Sequence, residues 1–587
     1  MVGTVAELKN LVTSEQMAQS VSTLWENWSI RRNEWIEEKK ELRNYLFATD
    51  TRTTTNSKLP WKNSTTTPKL TQIRDNLHAN YISSIFPNDE WLRWEAYTQD
   101  SAEIKKRLSI QAYMSNKARE DNLREVVSHL LYDYIDYGNA FADITFVDES
   151  TIDEETGEII PGYVGPRLVR ISPYDIVFNP TAARWKDTPK IVRSVMTIGE
   201  LKCLVQDNPE AGYIADALPK IEEIRKEAVN FKREDFDKAL GYTVDGFGDL
   251  YTYYQSGLVE ILEIEGDIHD VETGELLRNH VITVVDRTHV LRKVPNPSWM
   301  GKGYKTHVGW RSRPDNLYAM GPLDNLVGMQ YRIDHLENLK ADLMDLAAFP
   351  PVVIKGDVDE FEWGPLEQIR MDEASSVELL RVDSVGLNAD LQIDLLERKM
   401  EEYAGAPKQA MGIRTPGEKT AFEVQSLQNA AGRIFQEKTT NFEINLLEPA
   451  LNGMLEISRR NMQASDVIRV MDDDLGVEQF MTITKEDITA TGKLRPIGAR
   501  HFAQQAQLVQ NLVQLSNTPI WAETAAHRSS KELAKMIEDV LGLNRFQLYK
   551  DNAAIFEQAE TQRLVNQVQE DLEVEQATPI DGGMGEV

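Results

Sequence analysis

From Gly321 to Met462 the sequence alternates long helical runs with two segments that cannot be helical, and this succession narrows the available folds more than any single motif. GPLDNLVGMQYRIDHLENLKADLMDLAAF puts Pro322 in a first turn and is stopped by Pro350. Leu326, Gln330, Ile333, Leu336, Lys340, Leu343 and Ala347 mark one largely apolar side of this run, a helix about 40 Å long at roughly 1.5 Å per residue. Residues 350–388 carry short-strand and turn signals, and 389–404 return to helix, with Asp390, Asp394, Glu397 and Glu401 stacked on one face by their spacing. Gly405, Pro407, Gly412, Pro416 and Gly417 predict an exposed, flexible loop over 405–419. Thr420 and Glu423 then form a capping-box pattern, and helical periodicity continues to Met462, some 60 Å if unbroken, with a kink expected at Pro449.

Inside the loop, MGIRTPGEKTAFEVQ has the glycine spacing of a nucleotide cradle at Gly412 and Gly417, followed by Lys419 and Thr420. Glu418 would place a negative charge beside the phosphates, the preceding element is a helix and not a strand, and no later strand offers a magnesium-binding aspartate. A nucleotide-binding enzyme using 412–420 is therefore the weaker reading. No G-x-S-x-G or H-E-x-x-H pattern suggests other catalysis, so a non-enzymatic protein without cofactor or metal is expected. The loop instead carries a small basic island of Lys408, Arg414 and Lys419 in an acidic chain. The acidic helix face is either a solvated surface or a wall opposite something negative. Such a wall acts only within roughly one Debye length, about 8 Å, and so requires a narrow passage.

The remaining chain alternates in character. Helices are expected over 14–47, 69–86 and 101–136, with the Thr-rich, proline-broken stretch ATDTRTTTNSKLPWKNSTTTPKL as an extended arm between the first two. NAFADITFVDE, GYVGPRLVRISPYDIVFNP, LVEILEIEGDIHD and HVITVVDRTHVLRKV read as strands, and the similar DEETGEI and DVETGEL as hairpin turns; 198–240 is helical and charged. The fold class is α+β, mainly helical. The six tryptophans from Trp25 to Trp94 read as core and interface packing, and His269, His280 and His289 have no ligand spacing. A single cysteine, Cys203, rules out an intrachain disulfide. A formal charge of -30 over 587 residues argues against broad wrapping of DNA, and no run is apolar enough for a membrane span or a secretory signal, so cytosolic assembly is expected.

The order helix, strand-turn module, acidic helix, basic loop, long helix resembles the portal protein of tailed bacteriophages, of the short-tailed kind. LPWKNSTTTPKLTQIRDNLHANYISSIFP and VRISPYDIVFNP are similar to that family's arm and wing. The resemblance implies a twelve-subunit ring at the capsid vertex, a virion location, and a channel through which viral double-stranded DNA is packaged and ejected. It implies an arm and wing over 1–320, stem helices at 321–349 and 389–404, a clip at 350–388, a channel loop at 405–419, a long helix and returning wing segment over 420–495, a helical crown over 496–570 and an acidic tail at 571–587. Lys408, Arg414 and Lys419 would then approach DNA, Asp390, Asp394, Glu397 and Glu401 would line the stem, and Phe361, Trp363 and Leu366 would be clip contacts. The implied partners are the terminase packaging motor, a tail adaptor, the capsid protein and a scaffolding protein, with no membrane. Another virion adaptor is the alternative of a different kind.

Overall fold

The computed structural model describes residues 3–9, 11–47, 63–87, 91–97, 101–152, 159–160, 162–208, 211–214, 217–231, 253, 255, 257–356, 374, 376–379, 389–404, 434–462, 465–471 and 478–496. It is a mixed helix and strand protein of two compact units, 1–466 with 483–499, and 467–482 with 500–587.

In the first unit, strand β1 (Val5–Leu8) leads into helix α1 (Ser14–Leu46), whose Thr13 cap accepts the Gln16 N–H at 3.3 Å. Helix α2 (Lys69–Ile85) and strand β2 (Leu92–Ala96) follow. The single helix expected over 101–136 is two, α3 (Ser101–Glu120) and α4 (Leu123–Asp136). Asn122 between them takes φ 51, a left-handed conformation that asparagine tolerates better than most residues and that no helix can continue through.

Next come β3 (Asn139–Asp148), β4 (Thr151–Ile152), β5 (Ile159–Ile160), β6 (Val164–Ile171), β7 (Ile176–Phe178) and β8 (Lys190–Thr197). Helices α5 (Ile198–Asp207) and α6 (Ala217–Phe231) precede β9 (Leu258–Asp270), β10 (Leu276–Val285), β11 (His289–Pro295), β12 (Thr306–Gly309), β13 (Arg311–Arg313) and β14 (Asn316–Met320). The main sheet runs β11-β10-β9-β8-β7, with β1 added parallel to the end of β9. Its center is β9, and the period of two explains why that strand is apolar on both sides. Leu262 and Ile264 join α1 residues Val21 and Trp25 in one core, while Val259 and Ile261 join Leu201 and Ile221 of α5 and α6 in another.

The β9–β10 turn is where DVETGEL predicts it, with Gly274 at φ 72. Its counterpart at 153–158 lies outside the described residues, although β4 and β5 on either side pair antiparallel. HVITVVDRTHVLRKV contains a second tight hairpin that the apolar pattern hides. Asp286 and Arg287 take φ 47 and 56 without a glycine, and both side chains are buried and ion-paired.

A second sheet, β12-β3-β6, shares an aromatic core with α1. The tryptophans Trp25, Trp35, Trp91 and Trp94 are buried. His307 lies between Phe141 and Trp185, 4.8 Å from each ring, and its Nε2 is 2.9 Å from the Asn139 amide oxygen. Asn139 Oδ1 also accepts the Ala319 N–H, so it acts as an acceptor and the His307 Nε2 facing it carries the proton. Burial, with the charge of Lys190 nearby, pulls the His307 pKa from 6.5 down to about 3. The folded ring thus resists a proton that the unfolded ring accepts below pH 6.5. The stability is complete above that pH and is lost progressively as pH falls toward 3. Between pH 6.5 and 5 the loss from this group is about 2 kcal/mol. Urea unfolding at pH 7 and pH 5 should show the wild type losing that much more than His307→Phe; equal losses would refute it.

Past β14 the chain forms α7 (Val327–Ala348), β15 (Val352–Lys355), β16 (Ser376–Leu379) and α8 (Asp390–Tyr403). The long helix is described from 434 and changes to a π-turn at Glu443–Leu447 before α9 (Glu448–Asn461). Pro449 supplies the cause: it has no N–H for the carbonyl one turn back and its ring crowds that carbonyl, so the helix widens just before it. Strands β17 (Ser465–Met471) and β18 (Glu478–Thr484), which fall mostly in the second unit, pair with each other; in the first unit β19 (Gly492–Pro496) runs antiparallel to β2. The expected crown and tail, 496–587, lie outside the described residues apart from Pro496.

Candidate functional site

The candidate site is the helix pair α7 and α8, joined through the antiparallel β15–β16 pair. α7 begins later than Pro322 suggests. One 3-10 turn, Asp324–Leu326, precedes it, because Asp324 accepts the Gly321 N–H at 2.8 Å and pairs with Lys39 of α1. That buried pair ties the foot of α7 to the body of the unit.

The side of α7 that sequence spacing marks as apolar is partly polar where it is most buried. Gln330, Asp334 and Asn338 are 1% exposed or less. Buried polar groups are costly unless bonded, and the extended segment 63–68 with the first turn of α2 bonds them. The Asn63 N–H donates to Asp342 Oδ1 at 3.0 Å, the Thr65 N–H to Asn338 Oδ1 at 2.9 Å, and the Thr67 N–H to Asp334 Oδ1 at 3.0 Å. The Asn338 amide also donates to the Thr65 carbonyl at 2.8 Å, and Gln330 donates to the Thr67 carbonyl while accepting the Leu70 N–H. At the end of this strap Lys69 Nζ reaches α8, 2.7 Å from Glu401 and 3.3 Å from Glu397.

This alters the expected acidic face. Glu401 is buried and Glu397 half-buried against Lys69, and Asp390 pairs with Lys340 of α7 at 2.5 Å. Of the four carboxylates, Asp394 is the one exposed without an ion pair among the described residues. The spacing that stacks acids on one face is present, but half of that face glues the strap to α8. The other expected site residues, Lys408, Arg414 and Lys419 of the loop and Phe361, Trp363 and Leu366 of the strand-turn module, lie outside the described residues.

Among its exposed residues the pair includes large apolar ones. Phe349 at the end of α7 is 72% exposed and Leu391 on α8 is 80% exposed, with Met344, Ile354 and Leu395 more than half exposed. No helix among the described residues is long and apolar enough to cross a membrane.

The strap and its acceptors escaped sequence reading. The available signal was the i, i+4, i+8, i+12 series Gln330, Asp334, Asn338 and Asp342, four polar groups on one line of a helix. No protein-family model matches the chain, and no curated protein matches it.

Proposed function

We propose that the chain is a portal subunit that closes with copies of itself into a ring around viral double-stranded DNA. The carrying observation is the α7–α8 pair with the paired strands β15 and β16, which leaves Phe349, Leu391, Leu395 and Ile354 in water on a protein of charge -30. Exposed apolar side chains on one element mark a contact surface, and one heterologous contact repeated by rotation gives a closed ring. In such a ring Asp394 recurs once per subunit near the bore, and this single ring of carboxylates, with no phosphate-binding cation among the four stem positions, lets a polyanion pass without adhesion. Lys408, Arg414 and Lys419 contribute a few phosphate contacts that steady the DNA without reading bases. Phe361, Trp363 and Leu366 dock the packaging motor and later the tail adaptor, and the outer surface meets capsid and scaffolding protein.

Electron microscopy and sedimentation of the purified chain test the reading. A toroid with a central hole is expected, and the paired change Leu391→Asp with Leu395→Asp should reduce it to monomers. A wild-type chain that stays monomeric at micromolar concentration sinks the proposal.

A further inference from the structure

We infer that the polar line on α7 is a peptide-binding site that reads extended backbone, that its occupant is the chain's own segment 63–68, and that this strap, with Lys69 and Leu70 of the first turn of α2, fastens the α7–α8 pair to the rest of the unit.

The geometry is a match of two repeats. Four residues of helix advance about 6.0 Å, and two residues of extended chain about 6.6 Å. Asp342, Asn338 and Asp334, four apart and running backward along α7, therefore meet the N–H groups of Asn63, Thr65 and Thr67, two apart and running forward. Asn338 takes both the N–H and the carbonyl of Thr65, the two bonds that a neighbouring β-strand would supply. A helix seldom offers such a ladder, because its own main-chain groups are used within it. Here side chains stand in for the missing strand.

The site reads mainly backbone. Ser64 and Thr65 are exposed, and apart from the Asn63 amide every rung involves main-chain atoms of the strap. The ligand class is thus an extended peptide, tolerant in sequence, with a lysine following to enter the α8 carboxylates. The strap is also tied at its base: the Thr71 hydroxyl donates to the Leu46 carbonyl at 3.0 Å, so the end of α1 and the start of α2 meet there. From Asn63 the chain follows α7 back to Lys69, which holds α8. Because the rungs lie along the helix axis, a pull on α7 loads them together and not one after another.

The inference does not depend on ring formation, and its test separates the two. Hydrogen exchange read by mass spectrometry on the full chain should find the amides of Thr65, Thr67 and Leu70 slowed on the order of 100-fold against an unstructured peptide. Ser64→Ala and Thr65→Ala should leave that protection in place. Asn338→Leu should remove most of it and also speed exchange over 390–403. Free exchange in the wild type overturns the inference, as does unchanged protection in Asn338→Leu with α7 still helical. Should Asn338→Leu cost the helix itself, Asp342→Ala on the half-exposed end decides: faster exchange at Asn63 supports the ladder, and an unchanged rate refutes it.

Discussion

Arg287→Met should cost about 3–5 kcal/mol, because it strands a carboxylate in the core. Arg287 and Glu260 are both fully buried, joined by two hydrogen bonds of 2.7 and 2.9 Å, on the face of the main sheet that α1 covers. Arg287 also reaches Glu26 of α1 at 3.3 Å, so one guanidinium links helix, central strand and hairpin turn. The turn is held from its other side as well: Asp286 accepts from Arg225 of α6 at 2.6 Å and from the Tyr253 hydroxyl at 2.6 Å. These ties account for a hairpin without glycine, since two left-handed residues persist only where their surroundings over-determine them. Removing the cation alone takes from buried Glu260 its two guanidinium bonds, whereas removing both charges leaves an apolar site of similar volume. The double variant Arg287→Met with Glu260→Leu should recover most of the loss. Urea midpoints followed by circular dichroism measure the cycle. If Arg287→Met alone stays within about 1 kcal/mol of wild type, the pair is not holding the turn.

Elements whose stability comes from short-range pattern were legible in the sequence. β9 has the bounds that LVEILEIEGDIHD suggests, and α1, α2 and α8 fall within a residue or two of expectation, because apolar period, caps and prolines act locally. Features that depend on distant partners were not. Asp286 and Arg287 look like strand interior until Glu260 and Arg225 are placed beside them. Gln330 looks like a tolerated polar residue on an apolar stripe until Thr67 and Leu70 arrive from more than 250 positions away. Glu397 and Glu401 look like a solvated or channel-facing wall until Lys69 is placed between them. In the candidate site, spacing revealed which residues share a face, and the folded chain determined what that face meets. The same limit applies to β1, whose short Val5–Leu8 run has no local signature and exists because the end of β9 leaves an open edge for it.

Gly138→Ala should cost about 3 kcal/mol or more, from two independent sources. Gly138 takes φ +71, where an L side chain loses roughly 1–2 kcal/mol. A Cβ there would also lie 2.3 Å from the Gly321 nitrogen and 2.4 Å from the Met320 carbonyl carbon, main-chain atoms that cannot swing aside as a side chain can. Forcing them apart adds an overpacking cost of about 1–3 kcal/mol. The position matters for the candidate site. Gly138 joins α4 to β3 and its carbonyl accepts the Trp310 N–H, while Gly321, lacking a side chain of its own, lets the Asp324 turn and the foot of α7 sit against the end of α4. The substitution should therefore lower the unfolding midpoint and also loosen α7 at its base, read as faster exchange over 324–333 than over β9 under conditions where the chain remains folded. If exchange rises evenly across the unit, the damage is global and the two bare glycines are not the seat of the helix pair. If neither midpoint nor exchange moves, the close approach of the two backbones carries no load.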